Sequence, residues 1–332
     1  MSLIAGVQET LAKHISLPET VWMYKLKDAR KNLAFPRNLF IEPTNDCNQV
    51  CTGCPRDKSD REVGFIHFDL FKRLIDECRE YRQKLLFQLH KDGEPLMYPR
   101  IGEMLHYIKQ ARPGFKIFLS TNGALLREET ARVIIEAGVD ILRVSHSGDN
   151  AATYFKIHGR PDFEIVRENV LRFLELKKKM KAKKPHVRMQ IIRTAVTESD
   201  IESYQKTWGQ YDVEVTVKSF MTWGGSKRDA TVDWKRDGRH PCIDLWTMPA
   251  VNWDGKVSIC SLDWNQKAII GDLHHETMAE IWHGERLRHY RELHLQNKYA
   301  KAGICGACTE WQTNRRIFWR NQTPLWKNTL WV

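Results

Sequence analysis

The chain contains no apolar run approaching the roughly 18 residues that a membrane span requires. Its opening stretch, MSLIAGVQETLAKHISLPET, lacks the basic start, apolar centre and small-residue cleavage site of a secretory signal. There is no internal repeat and no RNA-binding or helix-turn-helix signature. These absences argue against a membrane or secreted protein and lead us to expect a cytoplasmic one. In that compartment its eight cysteines are expected to serve metal binding or catalysis rather than disulfides. One more absence is local. TNDCNQVCTGCPRD (residues 44–57) gathers Cys47, Cys51 and Cys54 on one short loop and offers no fourth cysteine beside them.

At 332 residues, 42% hydrophobic and 28% charged, the composition is that of a globular protein with room for a barrel and a smaller module. The formal charge of +11 raises the question of a nucleic acid partner. Much of it sits in runs such as KKKMKAKK (177–184), which closes an apparent helix, where lysines complement the dipole and stay solvated. Nucleic acid is therefore not expected. The surplus favours an anionic substrate or an acidic electron-transfer partner.

Short β-rich runs recur at NLFIEPT (38–44), KLLFQLH (84–90), KIFLSTN (116–122), ILRVSHS (141–147), VRMQIIRT (187–194) and VEVTVKSF (213–220). Helical patterns such as HFDLFKRLIDECREYRQ (67–83) and REETARVIIEAGV (127–139) lie between them. Strands alternating with helices predict a parallel sheet, either open and doubly wound or closed into an incomplete β/α barrel. The cysteine loop, DGEP (92–95), STNG (120–123) and SHSGD (145–149) each follow a strand, so all four gather at the C-terminal edge of the sheet, where α/β folds place their sites. Residues 1–37 read as a helical extension, 38–220 as the barrel, 221–240 as a linker, 241–311 as a second module and 312–332 as an aromatic and basic tail.

Cys47, Cys51 and Cys54 form C-x3-C-x2-C. Three thiolates would leave one position of a metal centre open, which marks a reactive site rather than a closed structural one. Zinc loops usually pair cysteines two apart, and here the first gap is three. This loop, placed after a first strand, resembles that of the radical S-adenosylmethionine (SAM) enzymes. The resemblance implies a partial (β/α)6 TIM-like barrel and a [4Fe–4S] cluster whose open iron chelates SAM. It implies reductive cleavage of SAM to a 5′-deoxyadenosyl radical that takes a hydrogen atom from the substrate.

The likeness extends to HKDGEPL (90–96), similar to the family's GGEP stretch, so Asp92, Gly93, Glu94 and Pro95 are implied to face SAM. Ser120, Thr121 and Asn122, together with Ser145, fall where the family places further SAM contacts, and Arg188 is a candidate for its carboxylate. Asp92, in place of the commoner glycine, and Gly53, in place of an aromatic residue, depart from the pattern.

Cys242, Cys260, Cys305 and Cys308 give C-x17-C-x44-C-x2-C, a pattern that by itself fits zinc or an iron–sulfur cluster equally. The surrounding stretches, HPCIDLWTMPAVNWDGKVSICSLDW and CGACTEW, resemble the small α+β SPASM module or its shortened twitch form. A full SPASM module usually carries about seven cysteines, so four imply one fully ligated auxiliary [4Fe–4S] cluster, placed to pass electrons or to brace the barrel. VNWDGKVSIC should be a hairpin turning at Asp254-Gly255, and ETMAEIWHGERLRHYRELH a helix.

Cys78 falls on the apolar face of its helix and is expected in the core. No thiol is then left to return a hydrogen atom to a substrate radical. Gln88 and His90 share one face of their strand and are candidates for substrate contact or a general base, as is Lys218 for an anionic substrate. Peptide-modifying relatives commonly add a recognition domain or more auxiliary cysteines, and 37 residues precede the first strand here. The expected reaction is oxidation of an alcohol carbon in a small polar substrate of carbohydrate, aminocyclitol or nucleoside type, fed by an acidic donor such as flavodoxin or ferredoxin. Sugar decarboxylation, epimerisation, peptide maturation and RNA modification are the alternatives, with a non-enzymatic Fe–S or zinc nucleic-acid-binding protein as the contrasting class.

Overall fold

A computed structural model describes residues 33–232 and 239–311. The expected N-terminal helix and the tail carrying Trp319, Trp326 and Trp331 lie outside the described residues.

Six parallel strands alternate with helices: β1 (Asn38–Ile41), α1 (Phe68–Arg79), β2 (Leu86–Leu89), α2 (Ile101–Ala111), β3 (Lys116–Thr121), α3 (Glu128–Glu136), β4 (Ile141–Ser145), α4 (Ala151–His158), α5 (Phe163–Lys179), β5 (His186–Arg193), α6 (Ile201–Trp208) and β6 (Glu214–Ser219). A second set follows: β7 (Ala250–Val251), β8 (Lys256–Ser258), β9 (Ile269–Asp272), α7 (Met278–His283) and α8 (Glu285–Leu295). The strands make one sheet in the order β6-β5-β4-β3-β2-β1-β7-β8-β9, in which β7 joins β1 in parallel and β8 and β9 run antiparallel. This is a partial (β/α)6 barrel extended by a small α+β module.

Period-two alternation decides what each strand faces. Leu39, Ile41, Phe87, Leu89, Ile117, Leu119, Leu142, Val144, Val187, Met189 and Ile191 turn outward into the main core against the helices. The helices answer with apolar stripes, such as Val166, Val170, Phe173 and Leu176 on α5. On the inner face, Leu86, Phe118 and Ile141 form a small separate cluster, and beyond it the lumen turns polar. Cys78 is fully buried in the outer core, where it packs as a small hydrophobe.

Two expectations are corrected. The helix read across ETMAEIWHGERLRHYRELH is two helices, because Gly284, with φ −64° and ψ 158°, is extended and ends α7. The lysine run that closes α5 stays exposed at Lys178, Lys179, Lys181, Lys183 and Lys184, as expected, while Lys177 is buried and pairs with Asp212 at 3.2 Å. The stretch read as a linker is packed in its described part: the Thr222 backbone N–H donates to Glu310 at 2.6 Å, and Lys227 pairs with Asp57 at 2.9 Å. VNWDGKVSIC does form a hairpin, with the Gly255 N–H donating to the Asn252 carbonyl at 3.0 Å.

The module is fastened to the barrel by a cap across 201 residues of sequence. Glu77 on α1 accepts from the Met278 and Ala279 backbone N–H groups of α7 at 2.9 and 2.8 Å, adding to the helix's own Thr277–Glu280 capping box. A carboxylate at a helix N-terminus satisfies orphan donors and complements the dipole. Glu77→Ala is expected to lower unfolding free energy by about 1–2 kcal/mol in urea denaturation.

Candidate iron–sulfur and SAM site

The three-cysteine loop leaves β1 and crosses the C-terminal edge of the barrel. Its course is fixed by side-chain to backbone bonds: Thr44 Oγ1 donates to the Gly64 carbonyl at 2.7 Å, and Asn45 Nδ2 to the Glu62 carbonyl at 2.8 Å. Arg56 reaches back to the Asn45 and Cys47 carbonyls at 3.3 and 3.1 Å. On the far side, the Val50 and Thr52 N–H groups donate to the His158 and Ile157 carbonyls at the end of α4. That approach depends on Gly159, at φ +67°, where a Cβ would stand 2.6 Å from the Val50 side chain and 2.8 Å from its carbonyl.

His158 is buried beneath the loop. The Ser147 N–H donates to its Nε2 at 3.0 Å, so the neutral ring carries its proton on Nδ1. That N–H donates to Gln49 Oε1 at 2.9 Å and lies 3.5 Å from Cys51 Sγ. Burial pushes the ring down to about 3, so it stays neutral. Phe220, from the end of β6, covers Gly53: a Cβ there would sit 3.1 Å from its ring, which supplies an aromatic surface beside the third cysteine.

The DGEP stretch docks on the cysteine loop. The Glu94 N–H donates to the Asp46 carbonyl at 2.7 Å, and a Cβ on Gly93 would fall 2.3 Å from the Thr44 carbonyl, so only glycine admits this approach. The Glu94 carboxylate then gathers the stretch after β3. It accepts from Thr121 Oγ1 at 2.7 Å, the Asn122 N–H at 2.7 Å and the Leu96 N–H at 3.0 Å. Burial outweighs these bonds and pushes its carboxyl up to about 7. Asn122 Nδ2 donates to Asn48 Oδ1 at 2.7 Å and stands 3.8 Å from Cys47 Sγ. Gly93, Glu94, Pro95, Thr121 and Asn122 are therefore brought together with the cysteines.

Asp92 turns away from this group. Its carboxylate contacts Lys91 Nζ and lies 3.1 Å from Arg61, which also holds Glu42 at 2.5 Å. All four side chains are buried, and they reach into the second module: Glu42 accepts from the Trp253 N–H at 3.1 Å, and Lys91 donates to the Asp263 carbonyl at 3.1 Å. Burial alone would raise Glu42, but Lys91 and Arg61 bring it below its ordinary range. Burial carries Asp92 up to about 6, still ionised at neutral pH. Glu42, Arg61 and Lys91 have no local sequence signal, because the contacts that define them span up to 211 residues.

Ser145 ends β4 in register with Gln190, whereas Arg188 pairs with Arg143 one inward-facing position earlier. Arg188 is tied to Glu214 at 2.7 Å, below the edge where the cysteines lie. Within the lumen, Gln88 Nε2 donates to Met248 Sδ at 3.3 Å. Ser120 Oγ accepts from Arg143 Nε at 3.0 Å, and His90 Nε2 accepts from Arg143 Nη2 at 3.1 Å. Burial, with the charges of Arg143 and Lys218, drives His90 well below its usual value. Its one lone pair is thus occupied and its Nδ1 is buried without a partner, so His90 orients Arg143 rather than accepting a proton. Burial and the Arg143 charge lower Lys218 to about 8. Arg143 is a further residue that the sequence motifs do not mark, although it stands two positions before Ser145 and so on the same face.

The two cysteine sets share one chemistry. Burial raises Cys54 to about 11, Cys305 to about 11 and Cys308 to about 12, and it raises the other four as well. Thiols so poised are poor free nucleophiles and become thiolates when a metal supplies the compensating charge. Within each set the sulfurs are near enough to repel one another. Yet among the described residues no three His, Cys, Asp or Glu side chains converge on a single ion. No helix among the described residues is long and apolar enough to cross a membrane.

A parallel barrel with an incomplete thiol set at its C-terminal edge and a complete set in an appended module defines an iron–sulfur enzyme with an open metal position. The chain belongs to the radical SAM superfamily, whose model matches residues 41–206, and the SPASM iron–sulfur cluster-binding domain matches 242–309. Its cofactors are accordingly SAM, a SAM-binding [4Fe–4S] cluster and an auxiliary iron–sulfur cluster. The chain is 22% identical over 277 residues to the S-adenosyl-L-methionine-dependent 2-deoxy-scyllo-inosamine dehydrogenase of Niallia circulans, a match covering 81% of this chain and 90% of that one. It is 26% identical over 156 residues to the tungsten-containing aldehyde ferredoxin oxidoreductase cofactor-modifying protein of Pyrococcus furiosus. That match covers 47% of this chain and 43% of the relative, so the chain spans less than half the length of that protein. The crystal structure of BtrN in complex with AdoMet and 2-DOIA shares the fold, with a TM-score of 0.58 and 18% identity over 83% of this chain and 93% of that one.

Arg61→Met leaves Glu42 and Asp92 buried without their shared cation. Unfolding free energy is expected to fall by about 3–5 kcal/mol, measured by chemical denaturation, with iron incorporation falling in parallel.

Proposed function

We propose that the chain oxidises an alcohol carbon of a small polar substrate of carbohydrate, aminocyclitol or nucleoside type, bound in the barrel lumen. Cys47, Cys51 and Cys54 hold the SAM-binding cluster, and Cys242, Cys260, Cys305 and Cys308 the auxiliary one. When bound, these groups supply the electron that splits SAM, a 5′-deoxyadenosyl radical able to take a hydrogen atom, and an acceptor for the electron the substrate then loses.

The protein's part is placement. Glu94 binds the loops after β2 and β3 into one wall, so Gly93, Glu94, Pro95, Thr121 and Asn122 present a fixed surface beside the cysteines, with Ser120 and Ser145 below it. Asp92 serves this surface indirectly, through Arg61 and Lys91. Arg188 is engaged by Glu214 and has no part in SAM binding in this reading. Gln88, Ser145, Gln190 and Thr216 offer neutral hydrogen-bonding groups to a polyol.

Lys218 carries the proton step. Burial, together with the Arg143 charge fixed in place by Ser120 and His90, lowers its ammonium to about 8, so Nζ accepts the hydroxyl proton as the carbonyl forms. One observation supports oxidation above the other fates. The Glu310 carboxylate acts electrostatically on Lys218 and also on Cys308, to whose sulfur the Glu310 N–H donates at 3.4 Å, so one carboxylate couples the second cysteine set to the proton-accepting group. Epimerisation would need a hydrogen donor, and Cys78, the eighth cysteine, is sealed in the outer core. The +11 charge suits an acidic donor of the flavodoxin or ferredoxin kind.

Anaerobic reconstitution should yield about eight irons per chain. Turnover with deuterated candidate alcohols should move deuterium into 5′-deoxyadenosine and give a product lighter by two hydrogens. Formation of 5′-deoxyadenosine with no such product would defeat the assignment. Because neutral Lys218 is the reactive form, kcat should climb as pH rises through about 8. Lys218→Met should flatten that limb and lower kcat by about 10²–10⁴-fold.

A further inference from the structure

The lumen walls are polar, yet their charges do not balance. Arg143 stands on β4 with its guanidinium held by Ser120 and His90, both neutral. Arginine does not surrender its charge in a protein. The charged groups that interact with it are basic: Arg188 on β5 and Lys218 on β6. The neighbouring acids are spoken for: Glu214 takes His186 and Arg188, each at 2.7 Å, and Glu310 takes the Thr222 N–H and hydroxyl at 2.6 and 3.1 Å. Among the described residues no carboxylate contacts Arg143, and Lys218 Nζ has no hydrogen-bond partner. Both residues are only partly buried, and neither Arg143 Nη1 nor Lys218 Nζ is among the buried polar atoms left without a partner.

We propose that the substrate carries an anionic group, a phosphate or a carboxylate, which docks on the Arg143 guanidinium within the field of Lys218.

This rests on the reading of the lumen as the substrate site and narrows its substrate class. A charge held in a cavity by neutral groups alone is costly, and a ligand anion removes that cost through a charge-assisted, directional bond. The fixed fork of Arg143, braced at Nε and Nη2, leaves Nη1 to point at the ligand, which is how arginine selects planar or tetrahedral oxyanions. An amine on the substrate would meet the same field with the opposite sign. The chain therefore departs from a preference for aminocyclitols and favours acidic or phosphorylated carbohydrates. The same anion holds the ammonium that forms when Lys218 takes the proton. Arg143 lies one inward-facing position deeper than Ser145, so the anion sits on the substrate side of the lumen and away from the cysteine edge.

The test is binding, without turnover, to the reconstituted, SAM-loaded enzyme by anaerobic calorimetry. The probes are inorganic phosphate, glucuronate and glucosamine. Phosphate or glucuronate is expected to bind at least about tenfold more tightly than glucosamine, as one charge-assisted bond provides; the anion that wins identifies phosphoryl or carboxylate chemistry. Arg143→Gln should erase that preference and Arg143→Lys keep part of it, with iron content and SAM affinity unchanged in both. Binding of neither anion, tighter binding of glucosamine, or a preference that survives Arg143→Gln overturns the proposal. An anion preference without an oxidised product would leave this site standing and remove the proposed reaction. Oxidation of an uncharged alcohol with no anion preference would do the reverse.

Discussion

Two carboxylates and two cations, shut away from water, hold this molecule's working parts in register. Glu42 leaves the first strand, Arg61 closes the cysteine loop, and Lys91 and Asp92 lead into the stretch that docks on it. Because their charges cancel, the four can be buried together, while no one of them could be buried alone. Such a group has little freedom to slide. Its geometry fixes how far the loop after β2 stands from the cysteines, and through the Trp253 and Asp263 backbones it fixes where the C-terminal module sits. Asp92, which looked like a lapse from a glycine-rich motif, is the residue that makes the arrangement electrically neutral.

The lumen works on the opposite principle. Where the quartet is balanced and closed, the inner wall keeps positive charge on Arg143 and Lys218 that no carboxylate among the described residues bonds directly. His90, Arg143 and Lys218 come from alternate strands β2, β4 and β6, the layering that barrels impose on inward-facing side chains. His90 contributes a lone pair, Arg143 a fixed charge and Lys218 a labile proton. The strand scaffold, packed by Phe87, Leu119 and Val144 on its outer side, supplies the rigidity that keeps these three from relaxing away from one another.

Much of this was legible in the sequence for one reason: each chemical motif follows directly on a β-rich run, so chain order alone carries Cys47, Gly93, Asn122 and Ser145 to one edge. The second cysteine set and its hairpin were equally local. What stayed hidden was whatever depends on distant partners. His158 could not be tied to Cys51, nor Phe220 to Gly53, nor Glu77 to α7, because no pattern along the chain records such pairings. Arg143 is different. Its alternation with Ser145 was visible, and attention to chemistry at strand ends passed over the residue one inward step deeper. Gly284 was also visible, and the strength of the flanking helical pattern concealed the break it makes.

The pairing of β7 with β1 reaches beyond the finished structure. Ile41 must wait for Val251, about 210 positions later, before its free edge is covered. During synthesis the first strand of the barrel is thus exposed while the residues between it and β7 emerge, and contacts of such long sequence separation form slowly. An uncovered strand edge is also a template for pairing with other chains. The C-terminal module is therefore what makes the barrel's first strand safe, and truncation within it would be felt as aggregation of the barrel before it was felt as loss of a cluster.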